Sequence, residues 1–165
     1  MTTLNKAIFF DRDDTLIHDS NYMHKVEQIH YVDDVFKTLK TAQDKGYKLF
    51  IVSNQSGIGR GYFTKEDTLI FHQKMKDDFQ DHGVNIEDIV FCPHAPSENC
   101  DCRKPKPKLL LDLCHEYSID PNQSFMVGDK KSDIQAGHNA GMKSIGINCE
   151  SELKVSKLEE ILPFL

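Results

Sequence analysis

The sequence predicts an α/β fold, a single doubly wound domain over residues 1–165 with a central parallel sheet. Three observations lead there. Five short apolar runs alternate with helix-like stretches. The runs are apolar throughout, as in central parallel strands covered on both faces. A polar cluster follows each of the first four runs. Ligands of such folds bind beyond the carboxyl ends of the strands.

The elements follow in order. Ala7-Ile8-Phe9-Phe10 is the first strand. A helix is expected from about Asp34 to Lys45, stopped by Gly46. Lys48-Leu49-Phe50-Ile51-Val52 is the second strand. The next helix starts after Thr64, whose hydroxyl can cap free N–H groups, and reaches about Asp81. Asp88-Ile89-Val90-Phe91 is the third strand, and Pro93 and Pro96 keep the segment after it extended. Pro107 opens a helix to about Tyr117, at a position where a missing N–H costs nothing. Ser124-Phe125-Met126-Val127 is the fourth strand. A helix over about 132–140 ends at Gly141, and Lys143-Ser144-Ile145-Gly146-Ile147 is the fifth strand. A last short helix is expected near Ser156, with Glu159 completing a capping box. No internal repeat, linker or low-complexity segment interrupts this order.

Composition narrows the function. The chain is 39% hydrophobic and 28% charged, which is globular. Its net charge is −6, whereas a nucleic-acid binder usually carries a basic excess, so no nucleic-acid partner is expected. No apolar stretch approaches a membrane span. The apolar run in MTTLNKAIFFDRDD is too short for a signal peptide. A cytoplasmic protein is expected, with a monomer as the simplest state. Its five cysteines are then ligands or core thiols rather than disulfides.

The polar clusters carry the chemistry. Asp11 and Asp13 follow the first strand, Ser53-Asn54-Gln55-Ser56-Gly57 the second, and Gly128-Asp129-Lys130 the fourth. Asp11, Asp13 and Asp129 could gather around one hard cation, and magnesium favours oxygen ligands shared with a substrate phosphate. Ser53 and the backbone N–H groups after it suit phosphate oxygens, and Lys104 adds positive charge. That set suits phosphoryl transfer to an aspartate. Two unit charges about 4 Å apart repel by ~4 kcal/mol at an effective dielectric of ~20, so a carboxylate attacking phosphate needs a cation and a lysine beside it. Asp13 then serves as the acid and base.

The third cluster is FCPHAPSENCDCRKPKPK. Cys92, His94, Cys100 and Cys102 have the chemistry of a tetrahedral zinc site, and four protein ligands make it structural. Arg103 and Lys104 follow the last ligand directly. A zinc loop there acts as a clamp that aims positive charge. Free thiols and a solvated basic face are the bland alternatives.

Taken in order, IFFDRDDTL, IVSNQSG, RKPKP and MVGDKKSD resemble the four motifs of the haloacid dehalogenase phosphatase superfamily, over residues 8 to about 148. The resemblance implies strand order 3-2-1-4-5 and no large cap domain. It implies Asp11 as nucleophile, Asp13 as acid/base, Ser53 as the phosphate-binding hydroxyl and Lys104 as the phosphate-neutralising lysine. The magnesium set it implies is Asp11, Asp13 (by its main-chain carbonyl), Asp129 and Lys130. Asp133 is either their support or a plain helix cap. A narrower likeness, in Asp19–His24, SNQSGIGRGYFT and CPH…CDCRKPKP, is to the D-glycero-D-manno-heptose 1,7-bisphosphate phosphatases. Histidinol-phosphate phosphatases are their cousins. This implies a small phosphorylated sugar as substrate. The contacts it implies come from Asp19, Asn21, Tyr22, Ser53, Asn54, Gln55, Ser56, Arg103 and Lys104. Asp14 departs from the glycine usual in DxDGT. A catalytically silent, zinc-stabilised binding module is the alternative of another class. His18 and His24 lie near the active edge. His72, His82, His115 and His138 read as surface residues, and Cys114 and Cys149 as core or surface thiols.

Overall fold

The computed structural model describes residues 3–165. In chain order the main elements are β1 (Ala7–Phe10), α1 (Val35–Asp44), β2 (Lys48–Asn54), α2 (Ser56–Gly59), α3 (Lys65–Asp81) and β3 (Ile86–Cys92). Then come α4 (Lys108–Glu116), β4 (Phe125–Gly128), α5 (Lys131–Asn139), β5 (Lys143–Ile147) and β6 (Leu153–Val155). A 3-10 helix over Leu158–Phe164 follows.

The strands form one parallel sheet in the order β3-β2-β1-β4-β5-β6. The expected order is therefore correct, with one strand added. From β1 the chain winds out to β3, returns to β4 and winds out the other way. The direction reverses between β1 and β4, which is where ligands of such sheets bind.

Side chains of successive strand residues point to opposite faces, so each face of β1 has its own core. Ile8 and Phe10 pack with Leu39, Phe71, Met75 and Phe79. Ala7 and Phe9 pack with Phe50, Leu110, Leu113 and Met126. Phe9 and Phe50 stack with ring centroids 5.0 Å apart. All four β1 residues are fully buried, which explains a strand with no polar alternation.

The Thr64 cap forms as expected. Its hydroxyl accepts from the Asp67 N–H at 3.1 Å, and the Asp67 carboxylate accepts from the Thr64 N–H at 2.9 Å. The last expected helix does not form as expected. Its capping box is absent, and the Ser156 N–H instead donates to the Glu160 carboxylate at 3.2 Å. The segment is a 3-10 helix with Pro163 inside it, and proline removes a donor that an α-helix would use. Two elements have no signal in the sequence pattern. β6 is three residues long and α2 is four, too short for a period to register.

Candidate active site

Most of the expected residues meet at the carboxyl edge of the sheet, around a cleft of about 240 Å³, although Ser53 and Asp129 do not line it. Lys104 is its hub. The ammonium donates to Asp11 Oδ1 at 2.8 Å, to Asp133 Oδ1 at 2.7 Å and to the Val52 carbonyl at 2.7 Å. All three donor hydrogens are therefore used. Lys104 is 3% exposed, and an isolated ammonium so deep would lose its proton. Burial does press its pKa down, but the Asp11 and Asp133 carboxylates more than reverse this and leave it raised.

The main chain of Lys104 is held separately. Its N–H donates to Asn54 Oδ1 at 3.0 Å, and its carbonyl accepts from Asn54 Nδ2 at 3.2 Å. Asn54 lines the cleft, but both ends of its amide are spent on this clamp. Its side chain acts on the site through Lys104.

Asp133 is both cap and support. One carboxylate oxygen receives Lys104, and the other accepts from the Lys130 N–H at 3.1 Å, at the start of α5. Gly128 makes room for it: a Cβ there would collide with the Asp133 side chain. Asp11, Asp129 and Asp133 bring carboxylate oxygens within 4.8 Å of one another. Burial, first, and the neighbouring Asp133 push the Asp11 pKa well up despite Lys104, and burial raises that of Asp129. An all-oxygen donor set of this charge fits a magnesium ion. Lys130 adds no carboxylate to that set. Its carbonyl already accepts from the N–H groups of Asp133 and Ile134, and its ammonium is itself a cation.

Asp13 lines the cleft with Asp11, its carboxylate engaged by Arg12 at 2.8 Å. Ser53 is 1% exposed and accepts from Gln55 Nε2 at 2.6 Å. Asp19, Asn21, Tyr22, Gln55, Ser56 and Arg103 also line the cleft. Arg103 Nη1 is buried without a hydrogen-bond partner, a costly state for a charged donor unless an anion is to come.

Asp14 takes a left-handed conformation, φ 58°, which explains why glycine suits the position and why aspartate is tolerated. Its carboxylate accepts from the Asp19 N–H at 2.9 Å. It braces the substrate-side loop rather than entering the cleft. His18 lines a neighbouring cavity of about 510 Å³, together with Asp14 and Asp129. His24 stacks on Phe63 at 5.2 Å and does not line the cleft.

Cys92, His94, Cys100 and Cys102 converge beside the cleft. Their ligand atoms lie within 4.8 Å of one another, with Cys92–Cys100 at 3.4 Å and His94–Cys102 at 3.3 Å. A tetrahedron with ~2.3 Å zinc–sulfur bonds has edges of about 3.8 Å, so the donor set suits zinc once the shortest pair, Cys92–Cys102 at 2.7 Å, opens. None of the three cysteines is tied up in a disulfide.

His72 is not a surface residue. It is 4% exposed, and its Nε2 meets the Arg12 guanidinium at 3.2 Å. The signal was present: Thr68, His72, Met75 and Phe79 fall at helical spacing on the buried stripe of α3. Burial first, then the Arg12 charge, lowers its pKa from 6.5 to about 3. Between those values the unfolded chain binds a proton that the folded chain refuses, so stability falls as the pH drops through that window. The slope from this residue is up to about 1.4 kcal/mol per pH unit. Urea unfolding at pH 7 and pH 5 is expected to show a smaller loss for His72→Gln than for the native protein.

Fold and site together define an α/β phosphohydrolase. A family model described as haloacid dehalogenase (HAD)-hydrolase-like matches residues 101–158. The D-glycero-β-D-manno-heptose-1,7-bisphosphate 7-phosphatase of Helicobacter pylori is 44% identical over 151 residues, 91% of this chain and 87% of that protein. The enzyme of the same name from Pasteurella multocida is 44% identical, covering 86% of this chain and 80% of its own. The crystal structure of D,D-heptose 1,7-bisphosphate phosphatase from B. bronchiseptica, complexed with magnesium and phosphate, superposes with a TM-score of 0.88 at 25% identity. It covers 97% of this chain and 99% of that one. The chain belongs to the haloacid dehalogenase-like hydrolase family, among relatives named heptose-1,7-bisphosphate 7-phosphatases.

Proposed function

We propose that this protein removes the 7-phosphate of D-glycero-D-manno-heptose 1,7-bisphosphate, leaving the 1-phosphate. The observation that carries this reading is Lys104, locked between Asp11 and Asp133 at the floor of a cleft whose rim holds the unpartnered Arg103 Nη1. Such a floor accepts one phosphate, and the rim offers a cation to the rest of a phosphorylated sugar.

Asp11, Asp129 and the Asp13 main-chain carbonyl would hold a magnesium ion, with Asp133 in support, and the ion would supply positive charge against the phosphate oxygens. An Asp11 carboxylate oxygen attacks phosphorus, and the bond from phosphorus to the sugar oxygen breaks. Asp13 gives its proton to that leaving oxygen. Ser53 and the N–H groups after it hold the phosphoryl oxygens, and Lys104 offsets their charge. Asp13, now a carboxylate, takes a proton from water as the water attacks the aspartyl phosphate. The Asp11–phosphorus bond then breaks, and inorganic phosphate leaves. Asp19, Asn21, Tyr22, Gln55, Ser56 and Arg103 contact the sugar. Cys92, His94, Cys100 and Cys102 would hold a zinc ion, which would fix the loop that carries Arg103.

Phosphate release with magnesium, comparing heptose 1,7-bisphosphate with histidinol phosphate, tests the substrate. A preference of about a hundredfold in kcat/KM for the bisphosphate is expected, or ~2.7 kcal/mol of transition-state discrimination. Preference for histidinol phosphate overturns the sugar assignment while leaving the phosphatase chemistry in place.

A further inference from the structure

Arg12 stands between Asp11 and Asp13 in the chain, yet it is 1% exposed and does not line the cleft. Its Nε donates to Asp13 Oδ1 at 2.8 Å and its Nη2 to Asp13 Oδ2 at 3.2 Å. This two-point fork fixes the plane of the carboxylate as well as its place. Nη2 also reaches Gln55 Oε1 at 3.3 Å, and Phe71 lies under the guanidinium at 4.4 Å. Nη1 meets His72 Nε2 at 3.2 Å. A guanidinium only donates, so His72 Nε2 is the acceptor and the ring proton sits on Nδ1.

This arrangement is expensive as packing. A buried arginine could be replaced by an apolar side chain of similar volume at no loss to a core. His72 leaves its Nδ1–H buried without a partner. Natural sequences break such local rules chiefly where function requires it. What the cost secures is one orientation of Asp13, whose side chain is 22% exposed and meets, besides Arg12, only the long contact from Gln55 Nε2 to its Oδ2 at 3.4 Å.

The geometry points to Arg12 and His72 as positioning residues for the general acid: His72 holds Arg12, and Arg12 holds Asp13 in the rotamer that exchanges a proton with the leaving oxygen. This rests on the reading of Asp13 as acid and base. Neither residue lines the cleft.

Leaving-group dependence separates positioning from mere structural support. A sugar alkoxide needs a proton as it departs, whereas p-nitrophenolate scarcely does. His72→Leu is expected to lower kcat/KM, which reports only the steps up to departure of the leaving group, by about 10- to 100-fold on heptose 1,7-bisphosphate and by less than about threefold on p-nitrophenyl phosphate, within the range of general acid catalysis. His72→Gln keeps an acceptor for Arg12 and is expected to stay within about threefold of the native protein on both substrates. Arg12→Met is expected to show the same asymmetry as His72→Leu, and it carries the test if His72→Leu does not fold. Asp13→Asn is the reference. If Asp13→Asn shows no asymmetry between the substrates, the acid/base reading falls first. If Asp13→Asn shows it but His72→Leu and Arg12→Met lose both activities equally, the positioning role is overturned.

Discussion

Asp11→Asn is expected to lower kcat by about four orders of magnitude or more, with little change in the fold. Losing a nucleophile that acts in one unit with its partners costs on this scale. The substitution preserves shape. The asparagine Oδ1 can still accept from Lys104, and Lys104 keeps Asp133 and the Val52 carbonyl. A loss of activity through unfolding is therefore not expected, and circular dichroism with a urea titration checks this. Acid-quenched native protein should carry one phosphoryl group on the peptide containing Asp11, and the variant none. Activity within tenfold of the native protein would refute the nucleophile assignment, whatever the other residues of the site do.

Loss of zinc is the second large effect. Cys100→Ser is expected to lower bound zinc by about one equivalent and Tm by about 6 to 12 °C, the shift for a loss of ~3 kcal/mol in a chain of this size. The structure refines how the damage reaches the chemistry. Lys104 has its own anchors, with Asn54 on its main chain and Asp11 and Asp133 on its ammonium. Arg103 is held only through its main chain, its carbonyl accepting from the Lys106 N–H at 2.9 Å, and its Nη1 is unpartnered. The clamp therefore matters most for Arg103, and KM is expected to rise more than kcat falls. Metal analysis, thermal melts and steady-state kinetics on one preparation decide it. Protein that contains no zinc when purified without chelators, or a variant with unchanged Tm and KM, would count against the clamp.

Much of this was legible in the residues. The five apolar runs registered as strands because both faces of the sheet are covered, so nothing but apolar residues is tolerated there. The polar clusters registered because they follow those runs directly, and a parallel sheet brings all its carboxyl ends to one edge. The cysteine and histidine spacing registered because few other chemistries gather such residues in eleven positions. β6, α2 and the absent Ser156 cap did not register. They are short, and their form depends on what they pack against rather than on their own periodicity.

The strand runs, the type of chemistry and the two metal-type clusters are thus properties of the sequence itself, because each is local or follows from chain order, whereas the strand order came only with the resemblance. Which group each side chain faces is not. Lys104 meets Asp133 across 29 residues and Asp11 across 93, and Arg12 meets His72 across 60. Asp133 was read as cap or support and is both; Asn54 was read as a substrate contact and spends its amide on Lys104; His72 was read as solvated and is buried. Those outcomes depend on side-chain direction at the end of folding. A buried donor or acceptor must find a partner wherever packing has left it, and only the tertiary structure decides which partner that is.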